Sequence, residues 1–427
     1  MPAAAPRASF LVTTFVLAVL AAAPISGASA AGSRTVRAPD GLTAHRGAAP
    51  ATTARAAQAD AADPRGGEQW PLQGDAPMGV AAAWRQTTGG DVTVAVVDSG
   101  IDLGHPDLVP NLWTNPGEIA GNGIDDDGNG YVDDVHGYDF VDGDGTPQDA
   151  NGHGTHVAGI VAARGGNGIG VAGVAWRARL MAVRVLDSGA RGTTTTVAEG
   201  IRYAVDNGAR IVNLSLAGPS PAGDLEDAIA HARELGVLVV VAAGNDGRDL
   251  AGSPTYPAAY TEDNVLGVAA TGQDGGLAAI SDFGAGADLA APGEDILSTA
   301  LGGGYEWRTG TSMAAPQVTG ALVLLAAARP DLDAAGLRAA LLAGTRRGLL
   351  DVETGALDAG AALRSVIDAA TWRPAPAAAT ATVKAAVQRA KKAAAKKAKA
   401  KRAKQASARK RANARGRRHI ARRPTRS

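Results

Sequence analysis

Val92-Thr93-Val94-Ala95-Val96-Val97 is an uncharged run rich in β-branched residues, and it ends on Asp98-Ser99-Gly100. A strand with one wet face would alternate apolar and polar residues, whereas an apolar run on both faces needs cover on both sides. The same type of run returns at 180–186, 211–216, 237–242 and 265–269. Between the runs lie stretches of helical character at 153–163, 195–207, 223–235, 312–328 and 334–343. This alternation predicts an α/β fold: a doubly wound, mostly parallel sheet with helices on both faces. Such sheets place their chemistry at the carboxyl ends of the strands. Asp98, at the end of the first run, therefore marks where to look.

Outward from that body the chain changes character twice. The 427 residues carry 42 Lys+Arg and 42 Asp+Glu, and this balance hides a division. Residues 374–427 hold 19 Lys and Arg with no acid, while residues 1–373 hold 23 basic and 42 acidic groups. Every lysine lies in the tail, the first being Lys384. The absence of cysteine excludes disulfide scaffolds, thiolate metal sites and a cysteine nucleophile. With 45% apolar and 20% charged residues, wholesale disorder is excluded as well.

At the other end, Arg7, the apolar run 10–23 and Ala28-Ser29-Ala30 read as a secretory signal over 1–30. The run is shorter than the roughly 20 residues a spanning helix needs. No later run reads as a span, so the mature chain is expected to be soluble, secreted and free of transmembrane segments. Residues 31–62 show no period and read as a flexible leader, 63–373 as the folded domain, and 374–427 as a disordered Ala/Lys/Arg-rich tail.

Three short segments carry the parts for nucleophilic acyl transfer. Val96-Val97-Asp98-Ser99-Gly100-Ile101-Asp102 puts an acid at a strand end. Asn151-Gly152-His153-Gly154-Thr155-His156-Val157-Ala158-Gly159 puts a histidine at a helix start. Gly310-Thr311-Ser312-Met313-Ala314-Ala315-Pro316 opens an apolar helix with a serine. Serine is a weak nucleophile at its own pKa and needs a base, which in turn needs an orienting acid.

These segments, in this order, resemble the subtilisin-like serine proteases of calcium-binding bacterial type, over about residues 70–366. The resemblance implies Asp98 as the buried acid, His153 as general base and acid, and Ser312 as nucleophile. Ala242-Ala243-Gly244-Asn245 follows a strand, and in the family this asparagine donates to the oxyanion, which assigns that role to Asn245. His156 lies one helical turn from His153 and could in principle be the base; the family pattern picks His153 and leaves His156 as a packed support. Asp102 reads as a solvated loop carboxylate or part of an acidic rim.

The resemblance also places substrate. Ser215-Leu216-Ala217 corresponds to an edge whose backbone pairs with an extended polypeptide, and Ala242, Ala243 and Gly244 form the opposite wall of the primary pocket. Ala217 stands where the family usually has glycine, and its methyl either narrows the pocket or points away. Residues 189–192 resemble a second edge.

Residues 118–149 hold ten acids and no Lys or Arg. Within them Asp125, Asp127, Asn129, Gly130 and Asp133 match positions 1, 3, 5, 6 and 9 of an EF-hand loop, with His136 where the bidentate glutamate would be. Oxygen-only donors favour Ca²⁺ over Zn²⁺. The resemblance implies a second calcium site from Asp107 and Asn167 side chains and Gly165, Ile169 and Val171 carbonyls, completed by Asp63 or Gln69.

The leading expectation is therefore a secreted, monomeric serine endopeptidase with structural Ca²⁺, acting on polypeptides. The 32-residue leader is shorter than a folded inhibitory prodomain, so either folding proceeds without one or a chaperone acts in trans, and the chain from about Asp63 is expected to fold when calcium is present. The tail reads either as an arm for non-specific polyanion binding, to an envelope polymer, nucleic acid or anionic lipid, holding the enzyme at the cell surface, or as a solubilising segment or one resting on the acidic body. The alternative is a catalytically silent surface-binding protein whose tail is the working part.

Overall fold

The computed structural model describes residues 63–73, 78–348 and 350–367. The signal-like segment, the leader 31–62 and the basic tail lie outside the described residues. Seven parallel strands form the main sheet: β1 (Gly89–Asp98), β2 (Gly137–Asp139), β3 (Arg177–Arg184), β4 (Ile211–Leu214), β5 (Leu238–Ala242), β6 (Val265–Thr271) and β7 (Leu289–Pro292), in spatial order β2-β3-β1-β4-β5-β6-β7. An antiparallel hairpin, β8 (Ile296–Ala300) and β9 (Gly304–Arg308), stands apart. The helices are α1 (Val80–Trp84), α2 (His153–Ala162), α3 (Thr194–Asp206), α4 (Gly223–Glu234), α5 (Thr311–Ala328), α6 (Ala334–Ala343) and α7 (Ala359–Val366).

The apolar runs are explained by two cores, one on each face. Val94, Val96, Leu180, Ile211 and Val240 point into a core shared with α2 and α5. Ala95, Val97, Met181, Val212 and Val239 alternate to the other face, which α3 and α4 cover. After β3 the chain returns past β1 to lay β4 on its other side. That reversal of strand order opens a crevice at the carboxyl ends of the central strands.

α5 packs against β1, β4, β5, β6 and β7. It is 18 residues long with a mean hydropathy of 1.4, so by length and composition it could cross a membrane. The sequence expectation that no such stretch follows the signal is corrected here. The helix is 89% buried inside the fold, and its apolar circumference answers to protein on all sides.

Candidate active site

Asp98 ends β1, wholly buried, and His153 opens α2 opposite it. His153 Nδ1 lies 2.8 and 3.0 Å from the two carboxylate oxygens of Asp98. This contact needs α2 to approach the end of β1 closely. At Gly154 a Cβ would stand 2.1 Å from the Gly100 carbonyl oxygen, so glycine is required there. The helix start is fixed by a residue the sequence reading had counted only as one of ten acids. Buried Asp149 accepts from the amides of Asn151 and Gly152, each at 2.8 Å, and from the amide and hydroxyl of Thr155 at 2.9 and 2.6 Å. The Ser99 hydroxyl donates to Asp149 and accepts from the Gly154 amide, tying both walls together.

Ser312 lies in the first turn of α5. Pro316 has no N–H, so the Ser312 carbonyl four residues earlier lacks its helical donor. The Ser215 hydroxyl supplies one at 2.8 Å, pinning the helix to the end of β4. The Ser312 hydroxyl donates to the Ser215 carbonyl at 3.1 Å. His153 Nε2 is buried with no hydrogen-bond partner, so the structure joins Asp98 to His153 and leaves the serine hydroxyl turned toward β4. Asn245 Oδ1 accepts from the Thr311 amide and hydroxyl at 2.8 and 3.0 Å. Its oxygen thus occupied, the amide nitrogen is the end left to donate.

A cleft of about 450 Å³ is lined by Leu216, Ala217, Ala242, Gly244, Asn245 and Ser312 from the sequence-based set. Ser215 and Ala243 are buried behind it and 189–192 do not line it. Asp246, Arg248, Thr255 and Asp282 also line it, and no sequence pattern had singled them out.

His156 is wholly buried, its Nε2 3.2 and 3.1 Å from the carbonyls of Ile296 and Glu306. Burial, with Arg308 nearby, pushes its pKa down to about 3. Asp102 departs from the expectation of a solvated carboxylate: it is buried and accepts from the amides of Gly104 and Gly302. The β8–β9 turn thus folds over it.

Two acidic regions are candidate cation sites. In the 118–134 loop the carboxylates of Glu118, Asp125 and Asp127 come within 4.8 Å of one another, Glu118 being an addition to the sequence-based set. Asp133 turns away and accepts from the amides of Gly121, Asn122 and Gly123. Asn129 donates to Asp127 and Asp134. In the other region the Asn167 side chain donates to Asp107 at 2.7 Å, and Asp107 also accepts from the Val171 amide. The Ile169 amide donates to Asn167. Asp63 takes the Gly166 and Gly168 amides, and Gln69 pairs with both backbone groups of Ala172. Burial, with Asp107 as a like charge, raises the Asp63 pKa. Oxygen donors carrying two close carboxylates fit a hard cation.

The profile of the Subtilase family matches residues 89–361. This chain belongs to the subtilase family. It is 42% identical to thermitase of Thermoactinomyces vulgaris over 259 residues, 61% of this chain and 82% of thermitase. It is 44% identical to Subtilisin Savinase of Lederbergia lenta over 251 residues, 59% of this chain and 82% of the relative. Among solved structures, a protease of Pseudoalteromonas arctica superposes with a TM-score of 0.61 at 32% identity, covering 71% of this chain and 98% of that one. The subtilase is thus a serine-type endopeptidase, with polypeptides as its substrates.

Proposed function

We propose that Asp98, His153 and Ser312 form the catalytic triad of this endopeptidase. The contact of His153 Nδ1 with Asp98 carries the reading, because it leaves Nε2 as the free basic nitrogen. In the proposed reaction the Ser312 hydroxyl turns from the Ser215 carbonyl and attacks the scissile carbonyl carbon as Nε2 takes its proton. The oxyanion is met by the Asn245 side-chain amide and by the N–H groups opening α5. Collapse breaks the C–N bond, and His153 returns the proton to the departing amine. Water, deprotonated by His153, then repeats the sequence on the acyl-enzyme. Backbone at Leu216 and Ala217, beyond the end of β4, pairs with extended substrate.

A serine-directed phosphonate tests this. Labelling at Ser312, abolished in Ser312→Ala, is expected. An unlabelled Ser312 in active protein would remove it from the mechanism, and no turnover with no labelling would favour a silent surface-binding protein.

Calcium is proposed as a structural ion. Asp107 and Asn167 side chains with the Gly165, Ile169 and Val171 carbonyls, completed by Asp63 or Gln69, would hold one ion, and Glu118, Asp125 and Asp127 another. Ions bound only by the folded chain add stability, so EDTA should lower the melting temperature; an unchanged melt would dismiss both sites. The signal-like residues 1–30 support export, and the acid-free 374–427 segment supports a polyanion-binding role at the cell surface.

A further inference from the structure

Ser312 and Asn245 line the same cleft, whereas His153 is not among its lining residues. A carbonyl held between the hydroxyl and the amide directs its leaving group toward His153. The side chain of the residue on the acyl side therefore enters the cleft. This step rests on the triad reading above.

Leu216, Ala217, Pro219, Ala242 and Pro254 give that side chain apolar walls, beside polar groups at Asp246, Arg248, Ser253, Thr255 and Thr311. Asp282 differs from the charged residues Asp246 and Arg248 in its burial. It is 1% exposed, and its Oδ1 accepts from the amides of Asp246 and Arg248 at 3.1 and 2.8 Å. Its Oδ2 has no hydrogen-bond partner. It packs against Gly244, whose φ is +123°, and a Cβ there would stand 2.1 Å from Oδ2. Glycine thus puts no side chain between this buried carboxylate and the cleft it lines. The neighbouring guanidinium does not serve it: Arg248 is 62% exposed and pairs with Asp246 at 3.4 Å. A buried carboxylate oxygen without a partner is costly unless a donor arrives.

We propose that this cleft selects a lysine on the acyl side of the scissile bond, its methylenes along the apolar walls and its ammonium on Asp282 Oδ2. Lysine is favoured over arginine because only one carboxylate oxygen is free. A point charge with three donors suits a single oxygen, while a guanidinium fork is matched to two. The sequence agrees with such a preference: residues 1–373 contain no lysine, so the body offers a lysine-directed cleft no target in itself. Burial also raises the Asp282 pKa, so the preference should strengthen with rising pH as the carboxylate ionises.

The test uses the full chain as Ser312→Ala, so that binding is read apart from turnover. Fluorescence anisotropy compares peptides that differ only in carrying lysine, norleucine or arginine at the acyl-side position. Lysine should bind at least about tenfold more tightly than its neutral isostere norleucine and more tightly than arginine. The advantage over norleucine should fall below about twofold when Asp282→Asn is added. Equal affinity for lysine and norleucine, or a lysine advantage that survives Asp282→Asn, overturns the proposal. Should that variant not fold, n-butylammonium must displace the lysine peptide from the Ser312→Ala protein while n-butanol does not; failure to do so also overturns it. Turnover by the unsubstituted chain judges the triad separately, since a chain that binds lysine selectively without hydrolysis loses the triad and keeps this cleft.

Discussion

His153 and His156 stand one turn apart on α2, both almost fully enclosed, and their partners give them opposite chemistry. His153 faces a carboxylate with one nitrogen and keeps the other unbonded. His156 faces the backbone carbonyls of Ile296 and Glu306, at β8 and β9, and a nearby cation. Enclosure penalises the charged imidazole of His156. Asp98 can stabilise such a charge on His153, while neutral carbonyls and Arg308 leave His156 a neutral cross-link. Burial alone therefore does not assign a histidine to chemistry; the charge of what it touches does.

Substitutions can break this contrast. His153→Ala should lower kcat by about 10⁶-fold, roughly 8 kcal/mol, a magnitude carried over from triads of this kind. Asp98→Asn should cost about 10⁴-fold by presenting the wrong tautomer, with the melting temperature little changed. Steady-state kinetics on folded variants decide both, and undiminished turnover in either would falsify the assignment.

Asp149→Asn comes next. An amide NH₂ would face one of the donor groups now satisfied by carboxylate, and about 1.5–3 kcal/mol of stability should be lost, read by urea titration. A wild-type midpoint would mean that α2 holds its start without Asp149.

The smallest effect is expected at His156→Gln: about 1 kcal/mol of stability at pH 8, with kcat largely retained. Its sharper signature is in pH. Above about pH 6.5 the imidazole is neutral in folded and unfolded chains alike. As pH falls from 6.5 toward about 3, the unfolded chain binds a proton that the folded one refuses, so stability declines through that window. The Gln variant should show a flatter decline, and parallel curves would mean that His156 takes up its proton in the fold.

Much of this was legible in the sequence because strong periodicity and short motifs are local. The run at 92–97 lies inside β1, and 334–343 coincides with α6. The ends of other runs misled in an instructive way. Val185 and Leu186 are buried like strand residues, but their amides turn to the Asp98 carbonyl, so β3 stops at Arg184. Leu216 is buried beyond β4 because it lines the cleft, and Ser215 because it holds the start of α5 from behind it. The short strands β2 and β7 gave no period to detect. The residues that went unread share one cause. Asp149, Asp282 and Glu118 matter for what they meet in space, and composition could show only that they are acids. Asp102 was misread for the same reason, since the turn at Gly302 that covers it is 200 residues away along the chain.

The all-round packing of α5 bears on self-digestion. A proteolytic enzyme is exposed to its own copies, and a segment must peel away from the fold before a neighbour can cut it. The helix bearing Ser312 is held by five strands and cannot peel separately. First nicks should therefore fall outside this helix, and the reactive hydroxyl should outlast them.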